Sequence, residues 1–185
     1  MTDAISRRRF NKLGAASAGL GLAGCATPDP LEGDLPDMGD FNLGFAIVVS
    51  KNARKIPPSR DATPEAWKAV MTSELERRFG QYGGPKSYHI AVNIDGYALA
   101  PPGVPIVLTP KSILVVSANI WTADPQEKIG GPEQISTFEG ADTLLLGSGL
   151  VKTAEEQMET LARNMAGKIQ SWMRRNPTWF GLPER

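Results

Sequence analysis

The sequence predicts an α+β fold in which two amphipathic helices pack on one face of a small antiparallel or mixed sheet. Three observations predict it. Apolar runs of strand character occupy 44–50, 87–98 and 112–122. Two other stretches, 63–79 and 153–173, repeat their apolar residues at helical spacing. Clusters of Gly and Pro separate the two kinds of segment. The order is β-α-β-β-(β-β)-α, the bracketed strands being fainter patterns at 135–139 and 143–148.

Each element has a local reason. G-F-A-I-V-V-S at 44–50 is a short β-rich run and is expected to be a buried strand. Residues 51–62 are polar and contain proline, so they read as a loop. Thr63-Pro64-Glu65 then opens a helix, with Thr63 as N-cap, Pro64 at the first helical position and Glu65 at the positive end of the dipole. Trp67, Val70, Met71, Leu75 and Phe79 form its apolar stripe, which Gly80 ends.

Ile90, Val92 and Ile94 alternate with His89, Ala91, Asn93 and Asp95, giving a strand with one dry and one wetter face. Residues 99–110 are a proline-rich connection, 112–122 the longest strand, and 123–134 a polar loop. Thr153 and Glu156 form a capping box ahead of a helix with Met158, Leu161, Ala162, Met165, Ile169, Trp172 and Met173 on one side. Asn176-Pro177 closes it, and Trp179-Phe180 follow outside any periodic element.

A chain of 185 residues holds one domain with a core of its own and is short for two. The zero net charge hides a split: residues 1–24 carry Arg7, Arg8, Arg9 and Lys12 against Asp3 alone. From Cys25 onward the chain holds 16 Lys and Arg against 19 Asp and Glu, a net of −3. A mildly acidic body of this kind does not suit nucleic acid, which requires clustered Lys and Arg. The single cysteine, Cys25, rules out an intramolecular disulfide.

The N-terminus has a basic stretch, a short apolar stretch from Leu13 to Ala23 and a small-residue site, the pattern of a removable export signal. Its apolar part falls short of the ~20 residues that span a bilayer. S-R-R-R-F-N-K at Ser6–Lys12 resembles the twin-arginine export signal, with Arg7 and Arg8 as the pair and Phe10 and Lys12 at matching places. It departs at Asn11, where that family prefers an apolar residue. L-A-G-C at Leu22, Ala23, Gly24 and Cys25 resembles the lipobox of bacterial lipoproteins. The resemblance implies that the Cys25 thiol takes a diacylglyceryl group and that cleavage leaves Cys25 as the first residue. Palmitate-type acyl chains, two or more per protein, then hold it on a membrane without a transmembrane helix. Ala26 is not the Asp that retains lipoproteins in the inner membrane of enteric bacteria, so the outer membrane is expected, on the periplasmic side of the envelope.

Residues 26–42 contain three Pro, two Gly, five acidic residues and no Lys or Arg. They read as a flexible acidic tether, with Leu35, Met38 and Phe41 the residues able to pack along the domain. The expected division is an export signal at 1–24, the lipidated cysteine and tether at 25–42, and one globular domain at 43–185.

Chemistry is sparse. His89 is the only histidine, so an acid–base or nucleophilic site has to use it, with Asp95 on the same side of the strand as the nearest carboxylate. This polar row more often belongs to a solvated strand face. One histidine and no spare cysteine disfavour zinc. Asp34, Asp37 and Asp40 recur every three residues, but lack the glycine and terminal glutamate of a calcium loop. No nucleotide fingerprint is present. No catalytic, metal or cofactor residue is therefore assigned, and no cofactor is expected.

Lipobox, acidic tether and a small body of this order resemble the auxiliary lipoproteins of ABC-type transporters and the outer-membrane assembly lipoproteins. That resemblance implies a non-enzymatic role, binding a protein partner in a transport or assembly complex, with Trp179 and Phe180 as the contact surface. The alternative is a binder or carrier of a lipid or other hydrophobic ligand, held in an apolar pocket between the Met-rich last helix and the sheet. A hydrolase-type enzyme using His89 and Asp95 is a third reading.

Overall fold

The computed structural model describes residues 35–102, 112–139 and 152–184. The leader, Cys25, most of the tether and the strand expected at 143–148 lie outside the described residues.

Among the described residues, five strands form one sheet: β1 (Phe41–Val49), β2 (Arg54–Lys55), β3 (Lys86–Ala98), β4 (Ile113–Thr122) and β5 (Lys128–Phe138). The strand order is β1-β3-β4-β5, with the short β2 also paired to β3. β1 runs parallel to β3, so the chain needs a crossover between them. Helix α1 (Pro64–Phe79) makes it. β3, β4 and β5 then follow as antiparallel neighbours, and α2 (Ala154–Arg174) returns over the sheet. α1 lies on β1, α2 lies on β4 and β5, and the helices pack against each other. The fold is mixed α+β with both described helices on one face.

The predicted periodicities set this arrangement. Ile90, Val92 and Ile94 of β3 and Leu114, Val116, Ala118 and Ile120 of β4 are buried, at most 1% exposed, and meet the helices. α1 contributes Trp67, Met71, Leu75 and Phe79, and α2 contributes Leu161, Met165, Ile169 and Met173, all fully buried. Each such side chain stabilises the fold by about 1.5–3 kcal/mol relative to exposure. The capping signals act as expected. Thr63 Oγ1 accepts from the Ala66 N–H at 3.1 Å. Thr153 Oγ1 accepts from the Glu156 N–H at 3.2 Å while the Glu156 carboxylate accepts from the Thr153 N–H at 2.7 Å. α1 and α2 are also joined by polar groups: buried Arg78 donates to Gln170 Oε1 at 2.9 Å, and Gln170 Nε2 donates to the Tyr82 hydroxyl at 2.6 Å.

Three boundaries differ from expectation. The folded body begins before residue 43, because Met38 and Phe41 are buried and the Asp40 N–H donates to the Phe180 carbonyl at 2.8 Å. Phe41 sits among Phe79, Tyr82, Tyr88 and Phe180, and four aromatic partners outweigh the acidic composition around it. Within 51–62, β2 pairs with Gly96 and Tyr97. The segment expected as a polar loop at 123–134 becomes strand from Lys128, where pairing with β4 overrides the Gly130-Gly131-Pro132 signal. Gly130 is needed there: a Cβ would lie 2.4 Å from the Trp179 ring that covers it.

Candidate interaction surface

The helix-free face of the sheet carries the residues with chemical potential. A register shift at Gly44 offsets β1 against β3 and brings Phe45 beside His89. The Phe45 N–H donates to His89 Nδ1 at 3.1 Å, and the two rings lie 5.0 Å apart. Gly44 makes room, since a Cβ there would stand 2.7 Å from Nδ1. Further along β3, Asp95 accepts from Asn93 Nδ2 at 2.6 Å and from Ser117 Oγ at 2.7 Å. His89 and Asp95 are thus engaged separately, six positions and about 20 Å apart on one strand. The two side chains do not pair with each other. Among the described residues, no group of three metal-ligating side chains gathers.

Trp179 and Phe180 do not form an outward surface. They belong to a 3-10 turn, Pro177–Phe180, that folds back on the sheet. Phe180 is 1% exposed and packs on Phe41 and Tyr88, while Trp179 lies edge-on to Trp172 and over Gly130. The Tyr88 hydroxyl donates to the Trp179 carbonyl at 3.1 Å, and burial pushes the Tyr88 pKa up. Burial likewise raises that of Tyr82, against an opposing effect of the Gln170 hydrogen bond.

The apolar pocket expected between α2 and the sheet is filled. Met158, Leu161, Met165, Ile169, Trp172 and Met173 are at most 5% exposed and form core. An open groove of about 730 Å³ lies instead beside α2, at the end of β5. Its walls are charged and engaged: Arg78 with Gln170, Arg163 with Glu74 at 3.7 Å, and Glu139 with Lys152 at 3.5 Å.

The two edges of the sheet differ. At β5, Lys168 Nζ donates to the Ser136 carbonyl at 2.8 Å and Asn164 Nδ2 to the Phe138 carbonyl at 3.2 Å, so α2 caps the last residues of that edge. At β1, Phe45, Ile47 and Val49 are 67%, 45% and 45% exposed, and Ile56, against Gly96 of β3, is 44% exposed. No charged residue occurs from Phe41 to Ser50. Uncovered edges are normally blunted by charge, proline or covering chain. This corrects the expectation that 44–50 is a buried strand. An unbroken apolar run reads the same for a central strand and for an apolar edge, so the sequence carries no signal that separates them.

No protein-family model matches the chain, and no curated protein matches it. Solved structures resemble it at low identity. Protein XCC0632 from Xanthomonas campestris, of family DUF330, matches with a TM-score of 0.46 and 10% identity over 76% of this chain and 88% of that one. A protein from Caulobacter crescentus, provisionally described as a lipoprotein, matches with a TM-score of 0.38 and 14% identity over 75% of this chain and 92% of its own. CT253 from Chlamydia trachomatis matches with a TM-score of 0.38 and 9% identity over 75% of this chain and 97% of that one. At these values the likeness carries no functional argument. Among the described residues, no helix is long and apolar enough to cross a membrane.

Proposed function

We propose that this chain is a non-enzymatic lipoprotein, exported by a twin-arginine signal and anchored through Cys25 on the periplasmic side of the outer membrane. Its body binds a protein partner in a transport or assembly complex. The address rests on S-R-R-R-F-N-K and L-A-G-C. The binding role rests on one observation, the apolar β1 edge with Phe45, Ile47 and Val49. Such an edge offers unpaired backbone groups and greasy side chains together, which is the requirement for adding a strand. The hydrophobic-ligand alternative loses its support because the α2 core is filled.

A photo-crosslinking residue placed at Ile47 in the full chain, in living cells, tests the binding role. A protein adduct is expected from Ile47 and none from Lys68, an exposed position on α1. Equal yields from the two sites, or none from Ile47, would contradict it.

A further inference from the structure

We infer that the β1 edge pairs with the β1 of a second copy of this chain, antiparallel, about a two-fold axis at Ile47. The inference deepens the binding role proposed above and rests on it, since it names the first occupant of the same edge.

The structure leaves few ways to use this edge. Its beginning is occupied, because Asn42 bridges Gly83 and the Phe41 carbonyl accepts from the Gly84 N–H at 3.0 Å. Among the described residues, no strand pairs with the outer side of β1 from Phe45 to Val49. A head-to-tail contact of β1 with the β5 of another copy, which would build rings or filaments, meets the Lys168 and Asn164 caps. A self-complementary contact of β1 with β1 meets no such side-chain cap among the described residues.

Register then selects the axis. In an antiparallel pair, opposite residues point to the same face. With Ile47 opposite itself, Phe45 falls opposite Val49 and Ala46 opposite Val48. Exposed apolar side chains thereby meet exposed apolar side chains, and the helix-facing residues continue the helix-facing layer. The absence of charge from Phe41 to Ser50 means that no like charges are opposed.

Interface size says where this happens. A five-residue strand contact buries well below the roughly 1,200 Å² of a stable interface, so free bodies pair weakly. Two copies held by lipid on one membrane meet at a raised effective concentration. Antiparallel pairing about Ile47 puts the two β1 starts, at Phe41, about 40 Å apart. The 14 residues from Cys25 to Met38 reach up to ~45 Å when extended, so both cysteines can enter the same membrane.

The test uses the full chain, exported and recovered in bacterial membranes, with single added thiols and a short bismaleimide. Ile47→Cys is expected to yield a species of doubled mass. Phe138→Cys, an exposed thiol at the closed edge, is expected to yield none, and co-expressed Phe45→Cys and Val49→Cys copies are expected to crosslink more than either alone. A thiol at Ile47 that labels with maleimide yet gives no doubled species would overturn the pairing. So would equal yields from Ile47→Cys and Phe138→Cys, or an adduct of another mass, which would make a different protein the occupant. Wild-type chain reports on the anchor separately, because a lipidated Cys25 cannot react. If wild type crosslinks through Cys25, the anchor falls, and the same thiol series in a Cys25→Ala background supports or overturns the pairing.

Discussion

His89 holds the backbone of Phe45: its Nδ1 accepts the Phe45 N–H at 3.1 Å, at the point where the Gly44 irregularity shifts β1 against β3. The bond satisfies an amide that the irregular register takes out of the strand ladder, and it fixes the aromatic ring at the head of the apolar edge. A neutral ring bonded this way carries its proton on Nε2. Nitrogen NMR of the body is expected to show an unprotonated Nδ1. Replacing His89 with Ala is expected to lower stability by about 1 kcal/mol. Gly44→Val, which drives a side chain into the ring, is expected to cost about 1–3 kcal/mol in denaturant unfolding. Unchanged stability in both variants would contradict this linkage.

Filling of the space under α2 is tested by Ile169→Ala. A fully buried side chain with no cavity to relax into is expected to cost about 2–5 kcal/mol when truncated. Val70→Ala, at a half-buried position of α1, is expected to cost less. Equal small losses would mean that the α2 side is looser than described.

The closed edge makes a separate prediction. The double variant Lys168→Ala with Asn164→Ala frees the Ser136 and Phe138 carbonyls. Unfolding free energy is expected to fall by no more than about 1 kcal/mol, because both bonds are solvent-exposed. Light scattering at rising concentration is expected to increase, since a second edge becomes available for pairing. Unchanged scattering would show that these side chains do not guard the edge.

Stability is expected to fall in alkali. Tyr82 and Tyr88 are raised by burial, while Lys55 and Lys86 are raised by their bonds to Asp61 and Asp40. In all four cases the folded state holds its proton more tightly than the unfolded state. Their contribution is therefore complete below about pH 10 and is lost as pH rises through the folded values. Urea midpoints between pH 8 and pH 11 check this, and Tyr82→Phe is expected to flatten part of the decline. A midpoint that rises with pH over that window would contradict the assignment.

Periodicity and capping residues made the helices and the interior strands legible. Thr63, Thr153 and Glu156 act through bonds only three residues long, and Ile90, Val92 and Ile94 alternate because pleating alternates them. What stayed hidden was set by distant partners. Met38 and Phe41 look like tether until Phe180 and Tyr88 are brought to them from far along the chain. Trp179 and Phe180 look exposed because nothing local announces the turn that returns them to the sheet. The β1 edge was illegible for a similar reason, since strand order is a property of the whole sheet and Phe45, Ile47 and Val49 spell the same pattern at its centre.

The address proposed for this chain depends on Cys25 being its first mature residue and its link to a membrane. Intact and N-terminal peptide mass spectrometry of the protein from washed bacterial membranes measures that directly. The account predicts a mature chain beginning at Cys25 with a diacylglyceryl group and further acyl mass, and release of a Cys25→Ala variant from the membrane fraction. A mature N-terminus elsewhere, or an unmodified Cys25 in soluble material, would contradict it.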